Sequence, residues 1–597
     1  MTAQEAIAYI ENYTWSTTRL GLGRTRALLQ ALGDPQKRLK FVHVAGSNGK
    51  GSTCAMLDSI LRAAGYCTGL YTSPYIQDFC ERMRVNGRNI PGETLARLTE
   101  RVKAIADRME DHPSQFELVT AIAMQYFLEA GCEIVVLEVG MGGALDSTNA
   151  IDAPEVAVIT NLALEHTEYL GNTLAEIAET KAGIIKPGCS AVAYPNVPEV
   201  TEVIGRVCAE NGVALTWADF EAIKPVSDSL DGQEFDYVNQ RGLFLPLLGA
   251  HQLRNAAMAL ETVEALRRRG WVIPESAVRQ GLASTKWPAR FEILHRAPLF
   301  LLDGGHNPQC AAALASCVRQ YLPGEKPVFL MGVLADKDVD AMIETILPLG
   351  SRFICLTPEN PRALSGEALA EKLRARGVSA EAAASIPGGV RMALQTRAPV
   401  AAFGSLYLAG AIRTAFPRAI KGFQRRAAVA GREGLSAEER REKSAAICER
   451  VRSLPEYQSA RIVMVYSAIR AEADLAPLLR DGKRFCFPLC ANRTEMAALI
   501  PRGWKTGVYG IREPDPARSV EVRPEEIDLV LAPCTGFDEN CNRIGMGAGY
   551  YDRYLPKCVG ARVIAVAFEA QKLPQVFTEA TDRKTDAVVT EKEVYRA

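Results

Sequence analysis

The chain has 597 residues, of which 48% are hydrophobic and 23% are charged. This length and composition exclude a small single module and a disordered tail, and they predict several hydrophobic cores. The 69 basic and 70 acidic residues give a net charge of -1 without long blocks of one sign, so neither nucleic acid nor a membrane surface is expected as a partner.

Features of membrane insertion and of secretion are missing from the sequence. The longest uncharged runs, at 63–77, 304–318 and 398–412, reach fifteen residues, whereas a transmembrane helix needs roughly 20. The first residues have neither the basic start nor the apolar stretch of a secretory signal. The fifteen cysteines include no CxxC pair, so reduced thiols are expected. These features together predict a cytoplasmic protein.

Strand-like and helix-like segments alternate along most of the chain. Between residues 41 and 195, short apolar runs alternate with helical stretches, which predicts a buried parallel sheet flanked by helices. A more irregular stretch at about 219–248 and a helix at about 255–269 follow. A second alternating series predicts a smaller α/β domain, with strands at 299–303, 328–333, 353–357 and 400–403.

The composition changes near Phe416, where a basic segment precedes a predicted helix. Ser436 is the expected N-cap of that helix, and Glu439 completes a capping box. A third domain is therefore expected to begin here. All six histidines lie at or before His306, so no histidine chemistry is expected in this last part.

The segment HVAGSNGKGST at 43–53 lies between an apolar strand and an amphipathic helix. A glycine-rich turn there lets backbone N–H groups approach phosphate oxygens, and Lys50 adds a full positive charge. Ser52 is then a candidate Mg²⁺ ligand. The spacing departs from GxxxxGK[ST] because Gly51 stands between the lysine and the serine; a generic glycine-rich turn is the alternative. The residues expected at the phosphates are Gly46, Asn48, Gly49, Lys50, Gly51, Ser52 and Thr53.

From about residue 1 to residue 415 the chain resembles the folylpolyglutamate synthases, which are relatives of the Mur ligases. Besides the loop, the resemblance rests on ordered segments that include YTSPYIQDFCERMRVNG, LEVGMGGALDSTN, KAGIIKPG, GAHQLRNA, WPARFE, DGGHNP and GSLYLAG. The resemblance implies an α/β fold, with a Mur ligase-like P-loop ATPase domain at 1–290 and a smaller Rossmann-like α/β domain at 291–417.

The resemblance also implies a metal site beside the loop. Glu138 and Ser52 correspond to magnesium ligands, His166 to a ligand of a second magnesium, and Lys181 to a lysine that is carbamylated. A carbamylated lysine would supply a carboxylate where an ammonium could not bind a metal. The structural alternative is an ordinary strand-end acid for Glu138, a structural histidine for His166 and a solvated lysine for Lys181. Glu165 stands where the family usually has aspartate.

Further positions match the nucleotide cleft and the substrate side of this family. Asn255, Arg290 and Asp303 match residues that help hold the nucleotide, and His306 matches a residue on the substrate side of the cleft. A capping or turn acid is the alternative for Asp303, and a surface cation for Arg290. Arg82 and Arg84 are candidates to face an anionic folate tail, with solvated surface arginines as the alternative.

The implied reaction is ATP-dependent amide formation between a folate carboxylate and L-glutamate. The carboxylate attacks the γ-phosphoryl group of ATP, and the glutamate amine displaces phosphate from the resulting acyl phosphate. Positioning and charge neutralisation are the main tasks of such a site. Dihydrofolate synthase activity, which joins glutamate to dihydropteroate, is an open alternative because both kinds of enzyme share these motifs.

A second glycine-rich segment, DLVLAPCTGFDENCNRIGMGAGYYDRYL, lies near the C-terminus. A strand, a loop and a helix are expected in that order, with the loop backbone against phosphate and Asp552 available to Mg²⁺. Arg543 adds positive charge, and Tyr550 and Tyr551 either shape the pocket or belong to the core. The glycines expected at the phosphates are Gly545, Gly547 and Gly549.

Over about residues 418–597 the chain resembles the 5-formyltetrahydrofolate cyclo-ligases, which implies a separate α/β domain. In that family an N-terminal lysine and arginine, here Lys421 and Arg425, contact ATP phosphates, and an acid matched by Glu472 engages the reduced pterin. A basic linker and an exposed loop acid are the alternatives. The implied reaction closes 5-formyltetrahydrofolate to 5,10-methenyltetrahydrofolate. Cys541 replaces a usual glycine, and a left-handed backbone there would cost about 1 kcal/mol and weaken this activity.

The resulting hypothesis is a fusion of two ATP- and Mg²⁺-dependent folate enzymes, a glutamate ligase and a cyclo-ligase. A non-catalytic, folate-binding or regulatory third domain is the alternative for residues 418–597. The oligomeric state is left open, with a monomer as the working expectation.

Overall fold

The computed structural model describes residues 1–13, 21–164, 167–492, 494–507 and 510–597. The chain forms two compact units. The first comprises residues 1–294, 301–384 and 399–413, and the second comprises residues 295–300, 385–398 and 414–597. The three predicted domains remain a prediction; their last boundary, at residue 417, falls inside a continuous helix that runs from Leu406 to Glu433.

The first sheet of the first unit is mostly parallel and has the strand order β4-β3-β2-β5-β1-β6-β7-β8. Its strands are β1 (Phe41–Ala45), β2 (Thr68–Tyr71), β3 (Met83–Val85), β4 (Arg88–Asn89), β5 (Ile134–Glu138), β6 (Val156–Ile159), β7 (Ser190–Ala193) and β8 (Ala214–Trp217). Strand β1 lies between β5 and β6 and runs parallel to both. This arrangement confirms the parallel sheet predicted from the alternating pattern.

Helices pack against this sheet because its central strands are apolar on both faces. Every residue of β1 is buried; Phe41 enters one core while Val42 and Val44 enter another. The helices that precede the third sheet are α1 (Ala3–Glu11), α2 (Gly23–Ala31), α3 (Lys50–Ala63), α4 (Gly92–Ala106), α5 (Gln115–Glu129), α6 (Thr167–Leu170), α7 (Leu174–Ala182), α8 (Pro198–Glu210), α9 (Ala250–Arg268) and α10 (Glu275–Ala283).

The stretch predicted to be irregular is an ordered antiparallel sheet. Its strands are β9 (Ile223–Ser229), β10 (Gly232–Tyr237) and β11 (Gln240–Leu245). The sequence did not predict it because β9 is almost wholly exposed and carries no apolar alternation. The inward side chains are supplied by the other two strands, through Phe235, Leu243 and Leu245.

The third sheet has the order β12-β13-β17-β14-β15-β16. Its strands are β12 (Glu292–Arg296), β13 (Leu299–Leu302), β14 (Val328–Met331), β15 (Arg352–Cys355), β16 (Ala380–Ala382) and β17 (Val400–Phe403). The helices in this region are α11 (Pro308–Tyr321), α12 (Val339–Ile346), α13 (Gly366–Arg374), α14 (Ile386–Gln395) and α15 (Leu406–Glu433). The four strands predicted from sequence here are confirmed, with ends that differ by up to two residues.

The second unit contains a mixed sheet with the order β23-β20-β19-β18-β24-β27-β28-β29, and two small hairpins. The strands are β18 (Ile462–Met464), β19 (Arg484–Cys490), β20 (Met496–Ile500), β21 (Trp504–Thr506), β22 (Arg512–Pro514), β23 (Val520–Val522), β24 (Leu529–Pro533), β25 (Gly536–Phe537), β26 (Arg543–Ile544), β27 (Arg562–Val566), β28 (Ala587–Val589) and β29 (Val594–Arg596). The helices are α16 (Ala437–Ser453), α17 (Pro455–Ser459) and α18 (Tyr550–Tyr554).

Local predictions for this region are borne out by hydrogen bonds. The Ser436 side chain accepts from the Glu439 backbone N–H at 3.1 Å, and the Glu439 carboxylate accepts from the Ser436 N–H at 2.7 Å, which confirms the capping box.

All fifteen cysteines are free thiols. Within the part of the chain that the structure describes, no helix is long and apolar enough to cross a membrane.

Candidate active sites

The predicted phosphate loop lies at the carboxyl end of β1 and leads into α3. Gly46 and Gly49 have φ angles of 151° and 90°, a region that L side chains rarely adopt. A Cβ at Gly46 would lie 1.9 Å from Thr160 Oγ1, and one at Gly49 would lie 2.4 Å from Asn255 Oδ1. Two glycines of the motif are therefore required by backbone conformation and by close neighbours.

Two lysines converge on the loop from different elements. Lys50 Nζ donates to Gly46 O at 2.7 Å and to Ser47 O at 3.2 Å. Lys181, in the last turn of α7 and only 2% exposed, donates from Nζ to the same Gly46 O at 3.0 Å. Burial excludes the solvated-lysine alternative for Lys181 and places positive charge beside the turn. Its carbamylation stays a prediction.

Glu138 is the last residue of β5 and is buried next to the loop. Its Oε2 accepts a hydrogen bond from the Ser73 N–H at 3.0 Å. Burial raises the pKa of Glu138, and the nearby positive charges of Lys50 and Arg290 oppose that rise. The carboxylate is therefore placed among cations rather than left as an isolated strand-end acid.

The oxygen donors beside the loop match the ligand preference of Mg²⁺. Glu138 and the buried Ser52 line one cavity, and a carboxylate with a hydroxyl is a donor set that Mg²⁺ accepts together with phosphate oxygens and water. His166, the predicted ligand of a second ion, and its neighbour Glu165 lie outside the described residues. Among the residues that are described, no group of three His, Cys, Asp or Glu side chains forms a metal cluster.

The cavity in front of the loop has a volume of about 260 Å³ and brings together residues from distant segments. Asn255, Arg290, Asp303 and His306 all line it, and their roles in holding nucleotide or substrate stay predictions. Asp303 is held rigidly, since its two carboxylate oxygens accept from the N–H groups of Gly305 at 2.7 Å and Phe291 at 2.8 Å. Asp303 is thus a turn-organising acid on the wall of the cleft.

Arg84, rather than Arg82, faces the cleft. Arg82 is buried with its guanidinium 5.3 Å from the Tyr75 ring centroid and 5.4 Å from that of Phe79. Arg84 lines a small pocket with Glu138 and Arg290. Burial lowers the pKa of Arg84, and its Nε is buried with no hydrogen-bond partner in the described ranges. Neither arginine is a solvated surface cation.

Sequence reasoning missed His251 and Trp287, although both lie in quoted motifs. His251 lines the cavity beside Asp303 and Arg290, and burial lowers its pKa. Trp287 explains the inserted glycine of the loop, because a Cβ at Gly51 would lie 2.9 Å from its ring. The segments HQLRNA and WPARFE were the available signals, but no spacing rule links them to the loop.

The second glycine segment forms the predicted loop and helix in the second unit. Gly549 has a φ of 69° and is the N-cap of α18, and Gly547 has a φ of 112°. Arg425 Nε donates to Gly545 O at 2.7 Å, which ties α15 to this loop. Lys421 Nζ donates to two carboxylates from another loop, each at 2.6 Å, so it is not a cation of a free linker. The two acceptors are Glu579 and Asp582.

Arg543 and Asp552 form an ion pair across the glycine loop. Arg543 Nη2 lies 2.8 Å from Asp552 Oδ1, and its guanidinium carbon lies 5.6 Å from the Tyr551 ring centroid. Arg543 Nε and the Tyr551 hydroxyl are buried, and neither has a hydrogen-bond partner among the described residues. Tyr550 is more exposed and donates to Asn492 O at 2.9 Å. Asp552 therefore faces a cation here, and its role as a metal ligand stays a prediction.

The structure gives the burial of Glu472 and the backbone conformation of Cys541, neither of which could be read from the sequence. The Glu472 side chain is only 8% exposed, and burial raises its pKa; it is not an exposed loop acid. Cys541 has a φ of 60°, the left-handed conformation in which a side chain is strained by about 1 kcal/mol. Its buried side chain packs with Cys534 and Phe537. Packing at this position therefore offsets part of the backbone strain.

Comparison with known proteins agrees with this division of sites. Residues 44–263 match the Mur ligase middle domain, residues 289–405 match the Mur ligase glutamate ligase domain, and residues 418–591 match the 5-formyltetrahydrofolate cyclo-ligase family. The first two matches cover the loop and, of the residues facing it, Asn255, Arg290, Asp303 and His306. The third covers the whole second glycine segment.

Individual relatives match the N-terminal part of the chain. Folylpolyglutamate synthase of Lacticaseibacillus casei is 35% identical over 69% of this chain and 98% of its own length. Dihydrofolate synthase/folylpolyglutamate synthase of Bacillus subtilis is 34% identical over 60% and 86%. The structure of Mycobacterium tuberculosis folylpolyglutamate synthase complexed with ADP and AMPPCP matches with a TM-score of 0.64 at 32% identity, covering 69% of this chain and 99% of that one.

The parallel sheet, its glycine-rich loop and the facing cleft belong to a region that matches the two Mur ligase domains, so the first unit is of the Mur ligase class. The α/β fold expected from the sequence is confirmed. More narrowly, the chain belongs to the folylpolyglutamate synthase/dihydrofolate synthase family, here fused to a region of the 5-formyltetrahydrofolate cyclo-ligase family.

Proposed function

We propose that this protein catalyses two ATP-dependent reactions on folates, the addition of L-glutamate and the closure of 5-formyltetrahydrofolate to 5,10-methenyltetrahydrofolate. The observation that carries the first activity is the convergence of Lys50 and Lys181 on the phosphate turn, beside the buried Glu138. The observation that carries the second is the glycine loop held by Arg425 and Arg543.

In the ligase reaction a folate carboxylate oxygen attacks the γ-phosphorus of ATP, and ADP leaves. The amine of glutamate then attacks the acyl carbon, phosphate leaves, and the nitrogen loses its proton to give the amide. The loop N–H groups and Lys50 bind the phosphates and offset the negative charge that would repel the carboxylate. Ser52 and Glu138 would hold Mg²⁺, which would supply further positive charge to the phosphates.

The walls of the cleft orient the two anions. Arg84 and Arg290 line the small pocket that also contains Glu138, so they supply positive charge where a substrate carboxylate must approach the phosphates. Asp303 fixes the turn at Gly305, and Asn255 closes against Gly49. Such fixed groups lower the cost of bringing the reactants together.

The substrate of the ligase can be identified by incubating the protein with ATP, labelled glutamate and either tetrahydrofolate or dihydropteroate, and by measuring incorporation of the label. We expect incorporation of label into tetrahydrofolate. Incorporation into dihydropteroate alone would contradict the polyglutamate synthase activity and assign dihydrofolate synthase activity instead. Incorporation into both would assign both activities to one cleft. No incorporation into either would overturn the ligase proposal.

In the cyclo-ligase reaction the formyl oxygen of 5-formyltetrahydrofolate attacks the γ-phosphorus of ATP, and ADP leaves. N10 then attacks the formyl carbon, phosphate leaves, and the N10 proton is lost as the ring closes. Lys421, Arg425 and Arg543 supply positive charge to the phosphates, and Glu472 accepts hydrogen bonds from the pterin. In the structure Lys421 is paired with two carboxylates, so phosphate must compete with Glu579 and Asp582 for its ammonium.

A second candidate for this unit is a folate-binding module without turnover. The paired Lys421 and the strained backbone of Cys541 favour it, because both features weaken a nucleotide site. Conversion of 5-formyltetrahydrofolate with ATP, followed by methenyl absorbance, separates the two. Tight binding of 5-formyltetrahydrofolate without any methenyl product would assign the binding module.

Two glycines with similar backbone angles allow backbone strain to be tested separately from a steric clash in the proposed phosphate turn. Gly49 and Gly65 have φ angles of 90° and 93°, but a Cβ at Gly49 meets Asn255 Oδ1 at 2.4 Å whereas one at Gly65 meets nothing within 4 Å. We expect Gly49→Ala and Gly65→Ala each to lose about 1 kcal/mol of unfolding free energy from strain. Only Gly49→Ala is expected to lower glutamate ligation, by about tenfold or more.

Denaturant unfolding and the labelled-glutamate assay measure the two effects. Equal ligation by the two variants would contradict the assignment of Gly49 to the phosphate turn. Cyclo-ligase conversion serves as an internal control in both proteins.

A further inference from the structure

Arg432 is a buried cation of the second unit to which the reaction described above gives no role. It lies next to the last residue of α15 and is only 1% exposed. Its Nε and Nη1 are buried and have no hydrogen-bond partner among the residues that the structure describes. A buried charge that lacks hydrogen bonds is costly unless an opposite charge lies nearby. An arginine in this position therefore needs a specific reason to be there.

The ion-pair partner of Arg432 is Glu472. Arg432 Nη1 lies 3.7 Å from Glu472 Oε1, and the two side chains are 1% and 8% exposed. The distance is longer than a hydrogen bond, so the interaction acts through charge. The other carboxylate oxygen of Glu472 accepts from the Ile469 N–H at 3.1 Å, which anchors the carboxylate to its own turn.

The backbone holds Arg432 at this distance. A Cβ at the preceding residue, Gly431, would lie 2.1 Å from Ala570 O, so the last turn of α15 is pressed against another backbone segment. Only glycine allows that approach. The close contact fixes the helix end that carries Arg432, while the loop carrying Glu472 is fixed by its own hydrogen bonds.

Within the described part of the chain, three further titratable groups interact electrostatically with the Glu472 carboxylate. Arg470 faces it from the same loop, Tyr466 from the segment after β18, and Tyr551 from α18. The Tyr551 hydroxyl is buried without a partner. Arg432 and Arg470 are thus the cations that oppose protonation of Glu472, and Arg432 has the larger effect of the two.

We propose that Arg432 is a positioning residue of the cyclo-ligase reaction, which keeps Glu472 ionised and aimed at the pterin of 5-formyltetrahydrofolate. An ionised carboxylate accepts hydrogen bonds from two N–H groups of a pterin, whereas a protonated one must use an oxygen as donor. The inference rests on the proposed cyclo-ligase function and on the role of Glu472 in it.

The test compares Arg432→Met with Arg432→Lys, which retains a charge. Loss of the cation raises the pKa of Glu472 further, so the carboxylate gains a proton at a higher pH and pterin binding is lost as the pH falls. For Arg432→Met we expect KM for 5-formyltetrahydrofolate to rise at least about tenfold near neutral pH with kcat changed less than about threefold. The acid limb of kcat/KM should move to higher pH, with partial recovery by about pH 8.5.

Arg432→Lys should keep the acid limb near its wild-type position. Combining Arg432→Met with Glu472→Gln should add little to the KM of Glu472→Gln alone, because the carboxylate that Arg432 acts on is then absent. Ligase activity of the same preparations and their thermal unfolding show whether the chain is folded. Should Arg432→Met and the double variant not fold, Arg432→Gln takes the place of Arg432→Met, both alone and combined with Glu472→Gln.

Two outcomes would overturn the inference. One is an unchanged KM and acid limb in Arg432→Met; the other is an equal effect of Arg432→Met with and without the Glu472 carboxylate. A wild-type chain that fails to convert 5-formyltetrahydrofolate overturns the catalytic proposal instead. In that case equilibrium binding of 5-formyltetrahydrofolate replaces KM, and the same shift with pH is expected of Kd.

Discussion

Replacing Lys50 with alanine is expected to lower glutamate ligation at least about 100-fold while cyclo-ligase conversion stays at the wild-type rate. Lys50 Nζ lies within hydrogen-bond distance of Gly46 O and Ser47 O in the glycine turn, and its charge opposes the rise that burial causes in the pKa of Glu138. Without it, phosphate binding loses a full charge and the Glu138 carboxylate loses a neighbouring cation. Labelled-glutamate incorporation and methenyl absorbance measure both activities on one preparation.

Lys40→Ala is the matched control, because Lys40 is an exposed lysine just before β1. It should leave both activities unchanged. Loss of both activities in a folded Lys50→Ala protein would contradict two independent sites. Retention of ligation would remove Lys50 from the phosphate site.

Replacing Arg425 with methionine is expected to have the converse effect, a loss of cyclo-ligase conversion of at least about 50-fold with ligation unchanged. Arg425 Nε donates to Gly545 O at 2.7 Å, and its guanidinium lies beside Gly547. Burial lowers the pKa of Arg425. Its removal eliminates both the hydrogen bond that holds the glycine loop and the positive charge beside that loop.

Arg426→Met is the control for this experiment, since Arg426 is the next residue of α15 and is exposed. Equal activity of the two variants would show that α15 does not contribute charge to the glycine loop. A rise in the KM for ATP larger than that for 5-formyltetrahydrofolate is expected of Arg425→Met, and the reverse order would place Arg425 on the folate side.

Much of the ligase site could be predicted because its elements are local in sequence. A strand, a glycine turn and a helix follow one another between Phe41 and Ala63, and their chemistry depends on backbone groups within a few residues. The position of Glu138 could also be anticipated, because β5 is a short apolar strand that ends on this acid. Periodicity and turn residues carry this information directly.

The rest depended on contacts between distant segments. Arg82 and Arg84 are two arginines in the same short segment, and the sequence does not show which of them lines the pocket. In the structure Arg82 packs on aromatic rings, whereas Arg84 lines the pocket. Strand β3 places alternate residues on opposite faces, but which face meets the cleft is decided by the elements packed around it. Likewise, nothing near Gly51 in the sequence indicates that Trp287 will pack against it.

By itself, the sequence determined the α/β architecture, the presence of two glycine-rich segments that are predicted to bind phosphate, and the resemblance to two folate enzyme families. Only the tertiary structure decided that Lys181 reaches the same carbonyl as Lys50, that Asp552 faces Arg543, and that Arg432 lies behind Glu472. The reason is physical: local propensity and spacing act over a few residues, whereas the partner of a buried charge is chosen by packing between elements that are far apart in the chain.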